Sequence, residues 1–163
     1  MTTSLSRYHH GFSMVEMLVT VLVLSVGLLG LAGMQINALK SSHSAFLHNQ
    51  ATALSYEIGE RIRSNRSEVQ QGRYDILFGD QPATAPDCEV ANCDAATMAD
   101  YDLSQWKGAL ATLLPAGDGA ISHLDTLVTI RVFWDERRND ATGTGCDPDN
   151  PADMACFDMS FIP

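Results

Sequence analysis

Proline is missing from the first half of this chain. None of its six prolines precedes Pro82, so nothing before that point forbids a long continuous helix. Positive charge is scarce too: ten Lys and Arg stand against twenty Asp and Glu, a net charge of −10. The deficit lies beyond Tyr74, where 4 basic residues face 16 acidic ones, whereas the stretch up to Tyr74 carries 6 and 4. So acidic a surface repels phosphate backbones, which argues against a nucleic-acid binder. There is no glycine-rich phosphate loop, no H-E-x-x-H pair and no G-x-S-x-G elbow, so the usual signatures of nucleotide, zinc-protease and serine-hydrolase chemistry are missing. Among the five histidines, His43 and His48 come nearest to a helical pair, yet they are five residues apart rather than the four that lets two imidazoles grip one metal. They are expected to be polar filler. No catalytic residue, metal ligand or cofactor site is assigned, and the chain is expected not to be an enzyme.

What the chain does have is one long apolar run. Its 163 residues, 45% of them hydrophobic, allow one packed domain and an appendage. Met17 to Met34 reads MLVTVLVLSVGLLGLAGM, interrupted only by Thr20 and Ser25 and free of charge. That length is the threshold for a membrane-spanning helix, and in lipid only a helix satisfies such a segment's backbone. A secretory signal has a shorter apolar core of roughly 7–15 residues. A lipoprotein signal fails as well, because Leu31-Ala32-Gly33 is followed by Met34 and not by a cysteine. Arg7 on one side and Lys40 on the other leave orientation undecided by charge.

The four cysteines, Cys88, Cys93, Cys146 and Cys156, all lie in the C-terminal half. An even number in short loops reads as a disulfide framework in an oxidising compartment. Three connectivities are formally open; local pairing, 88 with 93 and 146 with 156, is the simplest. A zinc site is the rival, but neither C-x4-C nor C-x9-C is the tight knuckle zinc prefers, and no histidine is nearby.

Beyond the apolar run, Leu47, Ala51, Leu54, Ile58 and Ile62 recur at helical spacing, predicting one helix from about Phe12 to Gln70. Residues 71–97 read as loop, with a short strand over Tyr74–Phe78. Thr97 to Asp100 resembles a capping box opening a second helix, with Leu103, Trp106, Leu110 and Leu113 on one face and Pro115 and Gly117 as its stop. Leu127–Trp134 alternates clearly and reads as a strand, preceded by a hairpin strand at Ala120–Leu124 and followed by a last strand at Phe157–Ile162. Trp106 and Trp134 are expected in the core. The fold class is therefore α+β, a long helix packed on a small antiparallel sheet.

The start of the apolar run is distinctive. Gly11-Phe12-Ser13-Met14-Val15-Glu16 follows an acid-free segment containing Arg7, His9 and His10. This resembles the type III signal of type IV prepilins and pseudopilins. The resemblance implies a leader over residues 1–11, removal by prepilin peptidase between Gly11 and Phe12, and N-methylation of Phe12. It implies a transmembrane and assembly helix over 12–36, and a head over 37–163 in the periplasm, beyond an inner-membrane span. It also implies that Glu16, an intramembrane carboxylate that needs a partner, pairs with the α-amine of a neighbouring subunit's Phe12. Helix-start electrostatics alone is the blander role for Glu16. The implied partners are prepilin peptidase, other minor pilins, the major pilin and the inner-membrane pilus assembly machinery. Gly27, Gly30 and Gly33 each cost about 1 kcal/mol of helix propensity, and serve either close helix packing or, by the resemblance, a stretch of the helix in a filament.

Across nearly the whole chain the sequence resembles the minor pilins known as type IV pilus modification proteins. The resemblance rests on the GFSMVE start, the Ile58…Arg61-Ile62-Arg63-Ser64-Asn65 helix ending, Cys88…Cys93, Asp100…Trp106, Leu114-Pro115 and Phe133-Trp134-Asp135-Glu136. The implied function is priming of pilus assembly, and with it adhesion and twitching motility. A minor pseudopilin of a type II secretion system shares every N-terminal feature. A single-pass membrane protein with a periplasmic binding or catalytic domain is the reading of a different class.

Three polar clusters remain. Arg61, Arg63 and Arg66 form the only basic group, with Glu57 and Glu60 near enough to neutralise it. Asp135-Glu136 is expected to be a solvated pair in an exposed turn. Asp147, Asp149 and Asp153 lack the glycine and terminal glutamate of an EF-hand and are not taken as a calcium site.

Overall fold

The structure, a computed structural model, describes residue 11 and residues 13–163; the chain divides into two units, residues 1–43 and 44–163. Helix α1 (Met14–Ser64, 51 residues) contributes to both. In the first unit every described residue is exposed, including Leu18, Leu22 and Leu29. This stretch of α1 contains the one candidate membrane span among the described residues. Its Thr20 and Ser25 hydroxyls donate back to the Met17 and Val21 carbonyls, so these two polar side chains inside the apolar run are satisfied within the helix.

The second unit holds the packed core. The rest of α1 is followed by α2 (Arg66–Val69), α3 (Ala95–Leu113) and strands β1 (Asp118–Leu124), β2 (Leu127–Trp134) and β3 (Ala155–Phe161). The sheet is antiparallel in the order β1-β2-β3. The α1 stripe is buried as its spacing predicts: Leu47, Ala51, Leu54, Ile58 and Ile62 join Val128, Ile130, Val132 and Trp134 of β2 and Leu103, Trp106 and Leu110 of α3 in one cluster. A second, smaller cluster of Phe133, Ala141 and Met154 packs with Phe78, Ala120, Cys146 and Cys156. Strand alternation explains the division, because Phe133 points opposite to Val132 and Trp134.

Several boundaries differ from those read in the sequence. The long helix does not run to Gln70. It breaks at Asn65 (φ −127°, ψ 44°) before the single turn of α2, because the Asn65 side chain is drawn out to donate to the Ala95 carbonyl and the Tyr74 hydroxyl. α3 begins at Ala95, and its cap is Asp94, whose carboxylate accepts from the Thr97 amide at 2.8 Å. Thr97 is thus the recipient of the cap and not the cap itself. Over Tyr74–Phe78 only a single bridge forms, between Ile76 and Ile121.

Candidate functional site

Ser13 precedes α1 and shapes its first turn. Its hydroxyl accepts from the Val15 amide at 3.3 Å, and its carbonyl from the Glu16 and Met17 amides at 3.0 and 3.2 Å. Ser13 and Glu16 stand in the S-x-x-E spacing that marks helix starts, a signal that was available in the sequence and overlooked. Glu16 is exposed in the first turn, where its charge suits the positive end of the helix dipole. It forms no ion pair among the described residues. Gly11 is exposed, and Phe12 lies outside the described residues.

At the other end of α1 the basic cluster is used within the chain. Arg61 donates to Glu57 at 2.6 Å and to Asp102 of α3 at 3.2 Å. Burial works against the charged guanidinium, but these two carboxylates outweigh it and its pKa is raised. Asp102 also accepts from the Tyr74 hydroxyl at 2.8 Å. Burial, and then this hydrogen bond, push the Tyr74 phenol above its ordinary pKa. Arg63 pairs with Glu60 and lies 4.5 Å over the Phe161 ring of β3. The Arg61-Ile62-Arg63-Ser64-Asn65 segment therefore clamps α1 to α3 and to the sheet edge, and Arg61 and Arg63 are not an open anion site.

The loops of the head are stapled. Cys88 is bridged to Cys93 and Cys146 to Cys156, each with Cα atoms 5.6 Å apart. The first bridge closes the loop before α3, where Tyr101 donates to Asp87 at 3.2 Å. The second ties the β2–β3 loop to β3 beside the smaller core cluster.

That loop also departs from expectation. Asp135 is not a solvated turn residue: it is 4% exposed, and its Oδ2 accepts from the Asp140 amide at 2.8 Å. The reason is position, since it follows the fully buried Trp134 at the end of β2 and its own amide donates to the Pro115 carbonyl. Nor is His48 simple filler. Its ring stands edge-on to Trp134 at 4.7 Å, and its Nε2 lies 3.9 Å from Glu136. Asp147 and Asp153 accept from the Asp149 and Asp147 amides, so they hold the loop's own turns. The described residues contain no group of three His, Cys, Asp or Glu able to hold a metal ion.

Two family models match the chain. That of type IV pilin Tt1218 covers residues 33–104, and the prokaryotic N-terminal methylation motif covers residues 6–32. No curated protein and no solved structure matches. The two matched spans together contain the Gly11–Glu16 segment, all of α1 and the loop disulfide 88–93.

Proposed function

We propose that this chain, whose matches to the type IV pilin Tt1218 model and to the N-terminal methylation motif support a type IV pilin, a structural family, is a minor pilin of the pilus modification (PilV) class that helps prime assembly of a type IV pilus. The observation that carries this reading is the Gly11-Phe12-Ser13-Met14-Val15-Glu16 order at the threshold of a helix whose first part, residues 14–43, buries nothing. A surface of exposed leucine and valine that wide needs lipid or neighbouring helices to cover it. In this reading residues 1–11 are a leader cut by prepilin peptidase, residues 12–36 anchor the chain in the inner membrane and later pack in the filament, and residues 37–163 form a periplasmic head. The two disulfides support an oxidising compartment for that head.

The same physics assigns Glu16 its part. A carboxylate within the hydrocarbon costs about 2.5–3.5 kcal/mol on insertion scales, so it favours whatever brings it a positive charge. Cleavage before Phe12 creates an α-amine only four residues away in sequence. A neighbour offset along the filament axis delivers that amine to Glu16, which makes assembly itself the relief of the unpaired charge. Intact-mass and N-terminal peptide mapping of protein from cells with and without prepilin peptidase tests this directly. A chain starting at N-methylated Phe12 only when the peptidase is present is the expected result; an intact Met1 terminus in both strains would overturn it. Glu16→Ala is expected to leave membrane insertion intact while abolishing piliation and co-purification with partner pilins.

A further inference from the structure

The two edges of the sheet are finished differently. Leu124 and Leu127 flank the tight turn between β1 and β2, so they exchange both backbone hydrogen bonds, and the ladder alternates from there. Val128, Ile130, Val132 and Trp134 therefore bond to β3, through Phe161, Met159, Phe157 and Ala155. On β1 the alternation turns Ile121 outward, and there it exchanges both bonds with Ile76, at 3.0 and 2.8 Å. On β3 it turns Cys156, Asp158 and Ser160 outward. The chain covers only the approach to that edge, where Met154 donates to the Gly143 carbonyl at 2.8 Å. Beyond it, the backbone N–H and C=O groups of Asp158 and Ser160 have no hydrogen-bond partner among the described residues. We propose that the outer edge of β3 is a docking site for an extended segment of a protein partner, which joins the sheet as an added strand beside Asp158 and Ser160 and carries apolar side chains at every second position.

The side chains of β3 support that occupant. On the core face Phe157, Met159 and Phe161 are only partly buried, whereas Val132, Ile130 and Val128, their partners on β2, are fully buried. Apolar side chains of an added strand, falling on that face at every second residue, complete the cover. Edges are ordinarily protected from such pairing by lysine, proline, a bulge or a covering element. The segment ACFDMSF of β3 contains neither lysine nor proline, and its register with β2 runs without a bulge. Its one charge, Asp158, is held by Arg131 through two hydrogen bonds of 2.6 Å. Charge then selects among partners. Beyond Tyr74 the chain sets 4 basic residues against 16 acidic ones, so a second copy is repelled while a neutral or basic segment is admitted. The proposal concerns the head alone and does not depend on which filament, if any, the chain joins.

The test is an NMR titration of the full, isotope-labelled chain in detergent micelles with a synthetic peptide, acetyl-Lys-Val-Thr-Val-Thr-Val-Lys-amide, in two N-methylated forms. In the docked strand the valine side chains lie on the core face, so the valine amides point away from β3 and the threonine amides point to it. Methylation of the valine amides should leave binding intact, and methylation of the threonine amides should weaken it at least about ten-fold. Saturable binding of the valine-methylated form is expected to slow hydrogen exchange at the Asp158 and Ser160 amides, whereas the Phe157 and Met159 amides, already bonded to β2, exchange slowly throughout. Ser160→Pro removes one outward N–H, leaves the ladder to β2 in place and should abolish binding; the pair of peptides keeps the test decisive if that variant misfolds. Three results overturn the proposal: no saturable binding, equal binding of both methylated forms, or protection of the Asp158 and Ser160 amides in the free chain that rises with its own concentration. The last would make this edge a contact between copies.

Discussion

Asn65, Tyr74 and Asp102 are separated by 9 and 28 residues, yet their side chains meet around one pair of hydrogen bonds. Periodicity reads neighbours along one element and has no access to such a meeting, which is why the helix break at Asn65 was invisible while the Arg61–Glu57 pair, four residues apart on one face, was not. Asp135 is the same kind of case: an Asp-Glu pair reads as solvated turn until the sheet end buries it. The Tyr74 hydroxyl has a measurable consequence. Tyr74→Phe leaves the buried Asp102 short of one donor and should cost about 1–3 kcal/mol of stability near neutral pH. Its folded pKa lies above the unfolded value of about 10, so the fold favours the neutral phenol. That contribution is fully present below about pH 10 and is lost as pH rises through the folded value. Denaturant unfolding at pH 8 and pH 11 should therefore show the gap between parent and Tyr74→Phe narrowing at the higher pH. A gap that stays constant would mean the phenol is not held neutral by the fold.

At the scale of elements, what was legible followed from repetition. The α1 stripe at 47, 51, 54, 58 and 62 and the alternation through β2 are set by which residues one face must bury, and both are found where the spacing places them. Ends of elements are decided by single hydrogen bonds instead, and there Asp94, with a side chain held below the ordinary carboxylate range chiefly by its hydrogen bond with Thr97, outcompeted Thr97 as the cap. Close approaches between elements leave no pattern at all. Gly119 on β1 is such a place: a Cβ there would sit 2.4 Å from the Trp106 ring and 2.8 Å from Leu110, so α3 packs on β1 only because that side chain is absent. Gly108, on the exposed side of the same helix, has nothing within 4 Å. Gly119→Ala should thus destabilise by about 1–3 kcal/mol through overpacking, whereas Gly108→Ala should stabilise by about 0.5–1 kcal/mol through helix propensity. Thermal melts of the two variants must move in opposite directions. Two shifts of the same sign would contradict the packing of α3 on β1.

At the scale of the molecule, the described residues divide between a stretch over 13–43 that buries nothing and a unit over 44–163 that holds their buried core. The sequence announces that division through its apolar run and its charge asymmetry, because membrane and water each impose a composition over tens of residues. It does not announce how a small acidic head holds its long loops, and the two disulfides are the answer. They are not equivalent. The Cys146–Cys156 bridge spans ten residues of sequence against five for Cys88–Cys93, and each doubling of a closed loop is worth about 0.6 kcal/mol of unfolded-state entropy. It also packs against Phe133, Ala141 and Met154 and closes a loop that carries the like-charged Asp147, Asp149 and Asp153. Replacing Cys146 and Cys156 together by serine should cost about 2–4 kcal/mol, and replacing Cys88 and Cys93 should cost less. The loss in the first variant should shrink as salt is raised, since screening relieves the loop's repulsion, while the loss in the second should stay nearly constant. Denaturant unfolding of both variants at low and high salt measures all four quantities. Equal losses, or a salt response confined to the 88–93 variant, would mean that the C-terminal loop is held by its turns alone and not by its staple.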